Sequence, residues 1–393
     1  MTLSDICKFI VDCPHSTAED EGVGIPLIRT PNIGKGRFIL EGVHRVCESV
    51  YNQRCARAVP QDGDIIFARE APAGNAAIIK GGQKMCLGQR TVLIRPDEDK
   101  VIPEYLVYYL LAPEQQYKLL GTANGATVAH VNLPTIREMK VDNLPPLPVQ
   151  RRIADILSAY DDLIENNRKQ INLLEEAAQR LYKEWFIDLR FPGHEHTPII
   201  NGIPEGWEKE KLTDLADIQY GYAFDGSLFN TAGAGMPIVR IRNIPSGTTD
   251  DYTTEIADEQ YVVKNGEIVV GMDGEFHINS WSGDDAYLVQ RACRIKPNNP
   301  QMKGWLLWAI HEPIKFFEKT VVGATVAHLG KKHIDTIMLL TAPDQLYKPF
   351  MDIFNKRSIL TKQNQKLAES RDRLLPKLMK GEIEPIVKIA GDI

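Results

Sequence analysis

Apolar positions along the chain follow two patterns that alternate. Residues 1–146 and 191–342 carry short β-branched runs closed by turn residues, which predict strands at 25–29, 64–68 and 91–95 and again at 236–241, 267–271 and 292–296. In each segment a helical apolar spacing follows and predicts a helix, 104–120 and 303–319, the second bent at Pro313. Residues 147–190 and 343–393 are different. From Val149 to Phe191 there is neither Pro nor Gly, and steps of four and three pass through Ile153, Leu157, Tyr160, Ile164, Asn167, Ile171, Leu174, Ala178, Leu181 and Trp185. The same steps pass through Leu346, Phe350, Ile353, Arg357, Leu360, Asn364, Leu367, Arg371, Leu374 and Leu378, in a helix expected to reach about 381 and to kink or fray at Pro376. A spacing of this kind is a coiled-coil seam, and about 40 residues give a helix of roughly 60 Å, more than one small domain covers. A lone Asn in an apolar seam fixes register, so Asn167 and Asn364 are expected to meet.

The segments are also copies. Gly125-Ala-Thr-Val-Ala-His130 recurs letter for letter as Gly323-Ala-Thr-Val-Ala-His328. Weaker echoes keep the same order: Leu3-Ser-Asp-Ile6 with Leu215-Ala-Asp-Ile218, Gly63-Asp-Ile-Ile66 with Gly266-Glu-Ile-Val269, Gln89-Arg90 with Gln290-Arg291. The fold class is therefore α+β: a tandem duplication of a mixed α/β domain, each copy followed by a long helix, the two helices pairing as an antiparallel coiled coil. Gly- and Pro-rich stretches around Pro192-Gly193 and Pro204-Glu-Gly-Trp207 mark the join.

With 43% hydrophobic and 25% charged residues over 393 positions, the chain is globular. The first residues show no basic start or apolar core of a signal peptide, and no apolar run reaches membrane-spanning length, so a cytoplasmic protein with no membrane partner is expected. The six cysteines form no C-x-x-C pair, which argues against a metal site. Lys and Arg number 46 against 52 Asp and Glu, a net charge of −6. Segment 191–342 is the most acidic, with 13 basic and 20 acidic residues. A nucleic-acid reader of this balance would bind weakly alone and need a more basic partner; a duplicated coiled-coil adaptor that binds protein is the alternative the charge favours.

From Gly125-Ala-Thr-Val-Ala-His130 with Leu144-Pro-Pro-Leu-Pro-Val-Gln-Arg-Arg-Ile153, through Leu181-Tyr-Lys-Glu-Trp-Phe186 and Arg190-Phe-Pro-Gly193, to the second GATVAH and Leu374-Leu-Pro-Lys-Leu-Met-Lys-Gly-Glu-Ile383, the sequence resembles the specificity subunits of type I restriction–modification enzymes. The resemblance implies target recognition domains over 1–146 and 191–342, each reading half of a split, asymmetric site in double-stranded DNA. The helices of 147–190 and 343–393 then serve as spacer and as dock for two modification subunits that methylate adenine, joined by restriction subunits. It implies no catalysis and no cofactor in this chain, with S-adenosylmethionine, ATP and Mg on the partners. Two departures stand out. The first copy starts directly at Leu3-Ser-Asp-Ile6, so its lead-in strand is expected to be missing or to lie upstream. Gln150-Arg-Arg152 becomes Gln345-Leu-Tyr347, so the two docks are not expected to be equivalent.

Base reading needs matched donor and acceptor edges, chiefly Arg or Lys toward guanine and Asn or Gln toward adenine. Loops after strands supply the candidates: Arg29, Asn32, Lys35, Arg37, Arg69, Gln89 and Arg90 in the first copy, and Arg240, Arg242, Asn243, His277, Gln290 and Arg291 in the second. Thr127 with His130 and Thr325 with His328 invite a catalytic reading, but no third orienting group or oxyanion site accompanies them. They fit a packed turn or a backbone-phosphate contact better, the second reinforced by Lys331 and Lys332. No nucleotide-binding Gly-rich turn, Walker sequence or methyltransferase loop is present.

Overall fold

The computed structural model describes residues 1–121, 130–320 and 327–385 and divides into two compact units, Met1–Ile164 with Lys366–Ile393, and Glu165–Gln365. Each unit is built on a four-stranded antiparallel sheet. In the first unit the order is Cys7–Asp12, Thr91–Pro96, Ile65–Ala68, Ala76–Ile78; in the second it is Ala216–Tyr220, Ala292–Pro297, Ile268–Gly271, Ile278–Ser280. The register agrees as well as the order, with Ile65 opposite Ile94 and Ile268 opposite Ile295.

Alternate side chains of a strand face opposite ways, so a strand that is apolar at every position must be covered twice. Ile65 and Phe67 pack with Tyr105, Leu106 and Leu157, while Ile66 and Ala68 pack with Ile28, Ile33 and Leu93. The second unit repeats this, Ile268 and Val270 lying with Trp305, Phe350 and Phe354, and Val269 with Val239, Trp281 and Leu288. The outer layer in both units contains a parallel pair, Leu27–Ile28 beside Cys86–Leu87 and Ile238–Val239 beside Tyr287–Leu288. A main-chain turn that carries most of the candidate residues follows each of these strands.

The helix expected over 104–120 is two helices, Pro103–Leu111 and Pro113–Leu120. Pro113 cannot extend the preceding helix but fits the first turn of a new one. The second copy breaks at the same place, into Lys303–Ala309 and His311–Thr320 with Pro313 in the first turn. At Gly304 an added Cβ would lie 2.3 Å from the Phe350 carbonyl oxygen, so the helix pair and the second long helix touch through backbone. The lead-in strand of the second copy is Glu208–Lys211, paired with Met338–Thr341; the first copy has a single bridge between Thr2 and Lys140 in its stead.

Two long helices, Leu147–Tyr182 and Lys348–Met379, contribute to both units, and the second runs through Pro376. Within the second unit Asn167 pairs with Asn364, Glu175 with Arg357, and Trp185 packs edge-on to Phe350 at 6.0 Å. Rising numbers on one helix meet falling numbers on the other, so they run antiparallel there. Within the first unit Asp161 meets Arg371, and Leu157 shares a core with Leu375 and Leu378, again antiparallel. No helix among the described residues is long and apolar enough to cross a membrane.

Candidate nucleic-acid interface

In both units the strand of the parallel pair ends in an Arg followed by a single 3-10 turn. Arg29 precedes Thr30–Asn32 and Arg240 precedes Ile241–Asn243. The Asn closes the turn: Asn32 Oδ1 accepts the Arg29 backbone N–H at 3.2 Å, and Asn243 Oδ1 accepts that of Arg240 at 2.9 Å. Asn32 Nδ2 also donates to the Ile39 carbonyl and Asn243 Nδ2 to Asp251. Each amide thus commits one donor and one acceptor to shaping the turn; Asn32, at 5% exposure, is also out of reach of a base edge, a correction to the sequence expectation, while Asn243 is half-buried.

Arg69 is corrected for the same reason. Only 11% of its side chain is exposed, and it donates to both oxygens of Asp12, to the Val131 carbonyl and to His130 Nε2. Arg242 grips Asp251 with two nitrogens. Burial raises the Asp251 carboxyl, but the hydrogen bonds from Arg242 and Asn243 outweigh it and hold the group below its ordinary value. Gln89 donates to the His15 carbonyl at 2.8 Å. Arg37 is half-buried, 3.7 Å from Asp162, and Lys35 is exposed. His277 is half-buried near Glu275, while Lys331 and Lys332 are exposed in the short helix Lys331–Ile334. Thr127 and Thr325 lie outside the described residues.

Several candidates converge, Arg242 and His277 among them in the second unit. A cavity of about 300 Å³ in the first unit is lined by Arg29, Gln89 and Arg90, and one of about 580 Å³ in the second by Arg240, Gln290 and Arg291. The walls differ. Ser16, Thr17 and Arg54 make the first polar, whereas Phe224, Phe229 and Val289 make the second largely apolar. At the rim Arg90 and Arg291 have φ of 62° and 69°. A non-glycine residue in the left-handed region carries a cost that Gly would avoid, so what these positions require is the side chain.

Each of these arginines is held by a carboxylate that the sequence reading did not nominate. Arg90 Nη1 is 2.9 Å from Glu70 Oε2, and the other Glu70 oxygen takes Nδ1 of His130. Arg291 Nη1 bonds Asp273 Oδ2, and Asp273 Oδ1 takes Nδ1 of His328 at 2.5 Å. The same backbone bonds surround both sets: Arg69 N–H to the Arg90 carbonyl and Val131 N–H to that of Arg69, as Met272 to Arg291 and Leu329 to Met272. Burial raises the Asp273 carboxyl, but His328 and Arg291 outweigh it and keep it below its ordinary value. Glu70 and Asp273 lie at equal distance after the Gly63-Asp-Ile-Ile66 and Gly266-Glu-Ile-Val269 echo, so extending that alignment by four residues is the signal that finds them. Among the described residues no three His, Cys, Asp or Glu gather in a way that could hold a metal ion.

A family model described as the type I restriction modification DNA specificity domain matches residues 1–176 and 204–366. The MjaIX type I restriction enzyme specificity subunit of Methanocaldococcus jannaschii is 26% identical over 382 residues, covering 92% of this chain and 87% of that protein. The HindI specificity subunit of Haemophilus influenzae is 21% identical over 405 residues, covering 84% and 88%. The S subunit of a type I restriction–modification system from M. genitalium superposes with a TM-score of 0.55 at 15% identity, over 96% of this chain and 95% of that one.

Proposed function

We propose, from the premise that this chain belongs to the type I restriction modification DNA specificity family and recognises DNA sequence within such a system, that each of its two units reads one half of a split, asymmetric duplex site. A chain of this family is the recognition component, and catalysis lies on its partner subunits. In this reading two modification subunits dock on the long helices and methylate adenine with S-adenosylmethionine. Restriction subunits supply ATP- and Mg-dependent cleavage.

The observation that carries the reading is the pair of matched cavities. Both place a strand-end Arg, a Gln and an exposed left-handed Arg together, Arg29, Gln89 and Arg90 in one and Arg240, Gln290 and Arg291 in the other. The paired donors of Arg match the guanine edge, and the donor and acceptor of Gln match the adenine edge. The walls around them differ, which suits two unlike half-sites. Lys331 and Lys332, together with Lys35, serve the sequence-independent contacts to phosphate.

Methyladenine mapping of the source genome with and without this gene tests the reading. Loss of one split, asymmetric motif on deletion is the expected result. An unchanged methylome with the modification subunit expressed would overturn it.

A further inference from the structure

We infer that Glu70 and Asp273 are positioning residues that turn Arg90 and Arg291 from phosphate binders into base readers. The inference rests on the reading above and adds to it the residues that make one basic side chain in each unit selective.

An unpaired Arg on a DNA-facing surface meets phosphate first, because phosphates dominate the field of the duplex and are contacted whatever the sequence. A carboxylate on the guanidinium changes this. It cancels most of the net charge, which removes the long-range pull of phosphate, yet it occupies only part of the donor fork. Asp273 accepts a hydrogen bond from Nη1 of Arg291, Glu70 forms an ion pair with Nη1 of Arg90, and among the described residues Nη2 and Nε of both arginines form no hydrogen bond. The Arg90 and Arg291 side chains stay 60% and 66% exposed, against 11% for Arg69. What remains is a weakly charged, directional donor edge, the requirement for reading guanine O6 and N7.

The carboxylates are themselves fixed. Their side chains are 18% and 13% exposed, and the second oxygen of each is held by His130 or His328. With both oxygens engaged the carboxylate cannot rotate, so the Arg is aimed before DNA arrives and loses less freedom on binding. The arrangement occurs twice in one chain, with Glu in one unit and Asp in the other and with different residues around it. Repetition in two contexts is hard to attribute to local packing. The Glu/Asp exchange between units also supplies the conservative variants.

The test uses the assembled complex of this chain with its modification subunits, on duplexes carrying the mapped motif and on duplexes with one base changed in either half. For Glu70→Gln, discrimination in one half is expected to fall about tenfold, while the other half is unaffected. Nonspecific affinity is expected to rise, and the slope of log K against log salt to steepen by about 0.9, as the uncovered guanidinium takes a phosphate. Asp273→Asn should do the same in the other half, and Glu70→Asp and Asp273→Glu should retain selectivity. A merely structural role would lower both halves together and would not steepen the salt slope. If Glu70→Gln misfolds, Asp273→Asn decides alone. Unchanged selectivity in the folded variants, or a loss shared by both halves with no gain in salt dependence, would overturn the inference. A wild-type complex indifferent to sequence would instead sink the reading on which it rests.

Discussion

Asn167 on the first long helix donates its side-chain amide to Asn364 Oδ1 on the second at 3.0 Å. Asn167 is 3% exposed and Asn364 half-buried, so the Asn167 amide depends on its partner. Replacing Asn167 alone with Leu leaves a partly buried amide unsatisfied and should cost about 1–3 kcal/mol. Replacing both with Leu should recover that loss or raise stability above wild type, since a polar pair in an apolar seam is kept for register. Thermal unfolding followed by circular dichroism of the two single variants and the double variant gives the coupling energy; additive losses would mean the pair does not act as one.

Asp161 is 3% exposed and accepts from the Tyr108 hydroxyl at 2.6 Å and from Arg371 at 2.5 Å. Burial and the neighbouring carboxylate push the Tyr108 hydroxyl far above its ordinary value, so it stays a donor at all working pH. Asp161→Ala leaves the Tyr108 hydroxyl without its acceptor and Arg371 with Asp372 as its remaining carboxylate, and should destabilise the first unit by about 1–3 kcal/mol. Asp161→Asn, which retains an acceptor, should cost less. Urea unfolding of the two variants checks the order.

His311 and Asp273 are among the groups of the second unit that tie stability to pH. His311 stacks on Trp308 at 5.4 Å, and burial, with the charge of Lys315, lowers its pKa from 6.5. The unfolded chain takes the proton more readily, so its contribution is complete above pH 6.5 and is lost as pH falls below it. Asp273 is lowered from 3.8, so its contribution is present above pH 3.8 and is lost as pH falls through the lower folded value. Urea midpoints should therefore fall in two stages on acidification. His311→Asn should weaken the first, to which His333 also contributes, and Asp273→Asn should weaken the second.

Lys331 and Lys332 are exposed at the start of their helix, and no ion pair to either is recorded among the described residues. On the proposed function, replacing each with Ala should reduce the salt slope of DNA binding by about 0.9 and leave the methylated motif unchanged. A changed motif would assign them to base reading.

The sequence by itself determined the duplication, the two helical seams and the family, because these are written in identities and spacings that neighbouring residues carry. The Asn in each seam was legible for the same reason: a polar residue at an apolar position is visible without knowing its partner. Tertiary structure alone decided what the polar side chains do. Asn32, Asn243 and Arg69 look like Arg90 and Gln290 in a sequence, but the first three are engaged by groups brought in from other segments, Ile39, Asp251 and Asp12. Asp161 became a buried ion-pair partner only once Arg371, 210 residues away, lay against it. Glu70 and Asp273 escaped notice because a carboxylate acts through what it holds, and Arg90, Arg291, His130 and His328 reach it across 18 to 60 residues of chain. Hydrogen bonding saturates: a donor or acceptor can serve the fold or a ligand, and only the folded chain shows which of them has already been used.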